Sequence, residues 1–204
     1  DKRAWSSYLK PVTIVAISWT LFQLYVVIYG FTDPMILYPV HTCFGIALGI
    51  LTKPLSQDNM FLKTIDTIAV ILIGGVVFYM FYNFERITTR VAFVESLEPL
   101  DFVAGIVVIA LLIEVSRRTL GYAMTIIGLI SVGYAFWGSQ LPGLLWHRGI
   151  SLEGFIELEA FTPNGMYGLP VGVSAGLVFY FILFGKFLAY GGGGALFNDL
   201  GILA

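Results

Sequence analysis

Charge is scarce in this chain. Of its 204 residues only 12% are Asp, Glu, Lys or Arg, against about a quarter in ordinary soluble domains. Eleven basic residues against 13 acidic ones leave a net charge of −2. No basic stripe is left to neutralise phosphates, so a nucleic-acid partner is not expected. There is one cysteine, Cys43, and there are two histidines, His41 and His147. A single thiol forms no intrachain disulfide and leaves the redox compartment open. These few residues supply neither a zinc-type ligand set nor a Ser/His/Asp or Cys/His arrangement. No metal site, resident cofactor, catalytic residue or enzymatic role is therefore expected. No cleavable leader is visible either, since the charged start Asp1-Lys2-Arg3 leads into a stretch long enough to span a membrane. The first residue is not Met, and a trimmed or processed N-terminus is expected.

Apolar length is what the chain has. Hydrophobic residues make up 58% and the mean hydropathy is +0.87. Residues 11–31, 35–51, 65–83, 102–113 and 120–138 are long apolar stretches, and 167–190 is a sixth, richer in glycine. They are apolar all round rather than along one stripe, a pattern that lipid favours and water does not. The expected fold class is all-α and polytopic, with about six membrane-spanning helices, one interfacial amphipathic helix, and membrane lipids as partners.

The punctuation between spans fits this reading. Pro11 stands in a first turn, where its missing N–H costs nothing. Asp33-Pro34 reads as a tight turn, and Thr52-Lys53-Pro54 ends the second span. The charged stretch 84–100 carries Glu85, Arg86, Arg90, Glu95 and Glu98 and reads as an interfacial helix or loop. Asp101 is expected to cap the fourth span, which ends near Arg117-Arg118. Ser151 is expected to cap a short helix in which Leu152, Phe155, Ile156 and Leu158 oppose Glu153, Glu157 and Glu159, the pattern of a helix lying in the interface. With the N-terminus cytoplasmic, the inner side holds Lys2, Arg3, Lys10, Lys53, Lys63, Arg117, Arg118 and Lys186, against Arg86, Arg90 and Arg148 outside. That asymmetry predicts a cytoplasmic N-terminus.

Arg117-Arg118-Thr-Leu-Gly121 and Leu141-Pro-Gly-Leu-Leu-Trp-His-Arg-Gly149 carry a family resemblance. So, in order, do Pro39-Val-His41, Ile113-Glu-Val-Ser-Arg-Arg118, Tyr134-Ala-Phe-Trp-Gly138, Tyr167-Gly-Leu-Pro-Val-Gly-Val-Ser174, Phe181-Ile-Leu-Phe-Gly185 and the segment 191–200. The series resembles the fused permeases of tripartite ATP-independent periplasmic (TRAP) transporters, in the subgroup that works with TAXI-type binding proteins. The similarity is dense from Asp101 and looser before it. Gly191 to Gly194 is richer in glycine than the family pattern, and Ser139-Gln140 also departs from it. The resemblance implies that residues 1–116 correspond to a four-helix small subunit and 117–204 to the beginning of the large one. It also implies a periplasmic substrate-binding protein as partner, organic anions such as carboxylates as substrates, and a bacterial or archaeal inner membrane as location. The Na⁺ or H⁺ coupling site would lie in the remainder of the large permease subunit, beyond Ala204, so the chain is expected to be the front part of a longer permease.

Individual residues have bland readings beside the functional ones. His41 inside the second span is either a hydrogen-bonded structural residue or a proton relay. A metal pair with Cys43 is disfavoured, because residues two apart on a helix point about 200° from each other. Glu114, Arg117 and Arg118 form an i,i+3 and i,i+4 set that reads as a cytoplasmic anchor. His147 and Arg148 either dock a binding protein, together with Glu153 and Glu157, or stabilise a headgroup-level turn. Lys186 is a candidate for an anionic substrate, set against simple snorkelling to the interface. The run 191–194 lacks the Lys-Ser/Thr of a P-loop and reads as a helix break.

Overall fold

In the computed structural model the chain is described over residues 2–30 and 33–193, residues 2–10 by backbone only. The described residues are all-α. The elements in order are α1 (Lys2–Tyr29), α2 (Pro34–Thr52), α3 (Met60–Tyr82), α4 (Phe84–Thr89), α5 (Pro99–Thr119), α6 (Tyr122–Trp137), α7 (Leu152–Ala160), α8 (Leu169–Val173) and α9 (Phe179–Tyr190). A π-turn, Ser174–Val178, joins α8 to α9 as one continuous helix. Among the described residues six helices are long and apolar enough to cross a bilayer: Pro11–Tyr29, Pro34–Thr52, Met60–Tyr82, Pro99–Thr119, Tyr122–Gln140 and Leu169–Tyr190. The protein is a multi-pass membrane protein.

Successive spans run in opposite directions. The near side, where α1 begins, therefore holds residues 53–59 and 120–121, and the far side holds 83–98 and 138–168. α2 is the hub, with 56% of its span buried against 11% for α1 and 6% for Leu169–Tyr190. Its Ile36, Val40, Cys43, Ile46 and Ile50 follow helical spacing and meet Ala69, Ile73, Val76 and Met80 of α3 and Ala104, Val108 and Val115 of α5. Lipid tails are as apolar as these side chains, so close packing rather than water exclusion holds such helices together. Two glycines allow the close approach. A Cβ on Gly49 would stand 2.6 Å from Val115 Cγ1, and one on Gly105 would collide with Ile156 of α7.

Local details depart from the sequence reading in two places. Asp101 caps α5 from N3 rather than as the N-cap: Glu98 is the N-cap, and Asp101, three residues on, reaches back to accept the Glu98 N–H at 3.0 Å. The capping box is thus completed from inside the helix. Second, α7 begins at its expected Ser151 cap, whose hydroxyl accepts the Gly154 N–H at 3.1 Å, but its acids are not all on the wet face. Glu157 is buried along with Phe155, Ile156 and Ala160. The proposed boundary at residue 116 falls within the last turn of α5. Asp33 caps α2 by accepting the Met35 N–H at 2.8 Å, with Pro34 at the first helical position. α9 ends at Tyr190, and Gly192 has φ +83°; residues 194–204 of the glycine-rich segment lie outside the described residues.

Gly105→Leu should lower the denaturation temperature of the detergent-solubilised protein, by the about 1–3 kcal/mol typical of overpacking. Gly75→Leu, where a Cβ meets nothing within 4 Å, should leave it near wild type. Equal melting curves would contradict the packing of α7 on α5.

Candidate functional site

Three polar clusters hold the bundle, one within the membrane and one near each end. The intramembrane cluster centres on His41, seven residues into α2 and so about 10 Å from its far-side end. Gln23 of α1 is fully buried, and its Nε2 lies 2.6 Å from His41 Nδ1. His41 Nε2 lies 3.1 Å from Ser174 Oγ. Tyr180 of α9 donates its hydroxyl to both the backbone oxygen and Oε1 of Gln23, each at 2.9 Å. An amide nitrogen only donates, so Nδ1 accepts from Gln23 and Nε2–H donates to Ser174, which makes the ring a neutral tautomer. The π-turn brings Ser174 to this place: the Phe179 N–H bonds back five residues to the Ser174 oxygen, and π-turns commonly occur at functional sites. Trp19 stands edge-on to His41 with centroids 4.8 Å apart and also meets Phe179 at 5.2 Å. Its Nε1 is buried without a hydrogen-bond partner.

Chemically this cluster is a latch more than a wire. The Gln23 amide interrupts any proton path between Tyr180 and His41. Cys43 turns away into the apolar core, and no group of three or more metal-ligating side chains occurs among the described residues.

On the near side, Arg118 is the anchor. Its side chain is 6% exposed. Nε donates to Glu114 Oε1 and Nη1 to Asp66 Oδ1, both at 2.7 Å. Nη1 also donates to the Lys53 oxygen at 3.2 Å. Asp66 accepts the Leu55 N–H at 2.8 Å, so the 53–59 loop, α3 and α5 share one guanidinium. Arg117 forks onto Glu114 at 2.8 and 2.7 Å. The structure thus brings together the sequence-identified trio Glu114, Arg117 and Arg118, and adds Asp66.

The far side uses the same chemistry twice. Arg86 makes a bidentate pair with Asp101 at 2.9 and 2.7 Å, with the Tyr79 hydroxyl also donating to Asp101 at 2.7 Å. Hydrogen bonding to Asp101 raises the Arg86 pKa above its usual value. Arg90 meets Glu157 at 2.7 Å with both side chains 5% exposed. Glu157 also accepts the N–H of Phe93 at 2.7 Å, which holds that residue at φ +62°, a strained value for a bulky side chain.

These contacts relocate several candidates. Glu157 offers no free carboxylate for docking, because Arg90 and Phe93 occupy it. Glu153 is exposed but accepts the Leu97 N–H at 3.2 Å. His147 is a loop brace: Nε2 meets the Tyr134 oxygen at 2.9 Å, and Nδ1 accepts the Gly149 N–H at 3.0 Å. Arg148 is exposed and lines an open cleft of about 610 Å³ with Phe93, Phe136 and Ser151. Lys186 is exposed on α9, twelve residues and about 18 Å along the axis from Ser174. It does not join the His41 cluster.

Gln23, Asp66, Ser174 and Tyr180 were the residues missed by sequence reasoning. Gln23 and Asp66 carried a signal: each is a strongly polar residue inside an apolar run, which in a membrane marks a site by default. Compared with known proteins, the chain matches no family, no curated protein and no solved structure.

Removing one partner of a buried ion pair strands the other charge and costs about 3–5 kcal/mol. Asp66→Leu should therefore destabilise the protein sharply in detergent unfolding. Asp66→Leu combined with Arg118→Leu should lose less than the sum of the two single changes. Additive losses would show that the two side chains do not interact.

Proposed function

We propose that the chain is the membrane-embedded front part of a binding-protein-dependent secondary transporter. In this reading a periplasmic protein delivers a small organic anion, such as a carboxylate, and a Na⁺ or H⁺ gradient drives it inward across a bacterial or archaeal inner membrane. The substrate class and the partners, including the remainder of a large permease subunit, rest on the ordered TRAP-like sequence series. The observation that carries the transport reading is the Gln23–His41–Ser174–Tyr180 cluster inside the membrane. Polar side chains there are expensive and are kept where they serve a function. A stand-alone scaffold or assembly subunit would use the cluster only as a latch between helices, and gives no reason for the orphan Trp19 N–H beside it. The work divides accordingly: α1 to α5 form a static frame, and the helix Leu169–Tyr190 begins the part that moves against it.

Proteoliposomes holding the full permease, supplied with its binding protein, should accumulate a labelled carboxylate only while a Na⁺ or pH gradient stands. His41→Leu should cut that uptake several-fold while leaving binding-protein affinity for substrate unchanged. If no organic acid accumulates under either gradient, the scaffold reading takes over. The cytoplasmic N-terminus is tested separately in a Cys43→Ala background. A membrane-impermeant maleimide should label Glu95→Cys in intact cells and Asp58→Cys only after permeabilisation. The opposite pattern would invert the topology.

A further inference from the structure

A narrow crevice opens between α5 and α6, with α7 across its far-side mouth. About 220 Å³ of space lies between Ile109 and Ile113 of α5, Gly128 and Ala135 of α6, and Phe155 and Glu159 of α7. From Gly128 to Ala135 the slot runs about 10 Å along α6. It is open at Gly128, where a Cβ would meet nothing within 4 Å. Its walls are apolar apart from Glu159 and Ser131, and the Ser131 hydroxyl is already used on the Ile127 oxygen at 3.0 Å.

Glu159 differs from the other acids that the fold takes in. Asp66, Asp101, Glu114 and Glu157 each meet an arginine. Among the described residues Glu159 meets none; its carboxylate accepts a hydrogen bond from the Met166 backbone, and burial pushes its pKa up. Among the described residues no Lys or Arg lines the crevice; Arg148, two residues before the Ile150 N–H that bonds to the Ala135 oxygen, lines the neighbouring cleft instead. On α5, Arg117 and Arg118 are committed to Glu114 at the opposite side of the membrane, and α6 carries no Lys or Arg. On α7, Glu153 and Glu157 turn to the 90–98 loop. One unmatched acid therefore stands at the mouth of an apolar slot on the outer surface of the described bundle.

We propose that this crevice binds a phospholipid with a primary-ammonium head group, its ammonium on Glu159 and one acyl chain between α5 and α6. A lipid fits better than a helix from another protein, since a helix with its side chains is about 10 Å or more across and the slot has space for a single chain. The charge match selects the head group: an ammonium supplies the N–H donors and the positive charge that the fold does not.

Native mass spectrometry on the full chain, released from micelles carrying chain-matched phosphatidylethanolamine, phosphatidylcholine and phosphatidylglycerol, tests this. Phosphatidylethanolamine should be retained several-fold over the other two. Glu159→Gln should abolish the preference, Glu95→Gln in the exposed loop should keep it, and Gly128→Leu should reduce retention of all three lipids. Equal retention of the three lipids by the wild type would overturn the proposal, whatever the variants do. So would an unchanged preference in a folded Glu159→Gln protein.

Discussion

The hydrogen bonds of His41 are the contact on which the arrangement of the outer helices depends. In water, apolar surface would press α1 and the Leu169–Tyr190 helix onto the core. In lipid that drive is absent, and position must come from close packing and polar contacts. Both helices are mostly uncovered by protein, at 11% and 6% burial. They are tied to α2 by the chain from Tyr180 through Gln23 to His41 and Ser174, beside Trp19 and Phe22 of α1 on Phe44 and a small apolar patch of Val26, Leu37 and Ala175. Leaving any one of these polar groups without its partner inside a bilayer costs more than at a wet surface. The contact is thus directional in a way that the greasy surfaces around it are not.

The charged residues work by the same logic at the two ends. Arg118 gathers α3, α5 and the 53–59 loop, whereas Arg86 and Arg90 gather α3, the 90–98 loop, α5 and α7. Arginine suits this task because its planar fork satisfies several acceptors at once without losing its charge. In a chain with so little charge, the buried part of it is spent on structure. The exposed Arg148 and Lys186 and the uncompensated Glu159 join none of these ion pairs.

Helices and their polar ends were legible in the sequence because lipid imposes a simple rule of length and apolarity. Asp33-Pro34, Thr52-Lys53 and Ser151 mark boundaries that the backbone follows. The trio Glu114, Arg117 and Arg118 was legible for a local reason, since its members sit one turn apart. Partners far apart in the chain were not. Asp66 and Arg118 are 52 positions apart, Phe93 and Glu157 are 64, and His41 and Ser174 are 133. No periodicity reports such pairs. Glu157 misled for the same reason: helical spacing put it opposite the apolar face, and a distant arginine brought it inside. Asp101 was expected at the N-cap and stands at N3, because Glu98 three residues earlier serves as N-cap and Asp101 answers it.

If His41 joins a frame to a moving helix, loosening that joint should be felt on one side only. Hydrogen–deuterium exchange on wild type and His41→Leu, in the same detergent, measures this directly. The account predicts faster exchange in peptides covering 169–190, with α3 and α5 unchanged. Unaltered exchange in 169–190, or faster exchange spread evenly over all spans, would contradict a joint at His41.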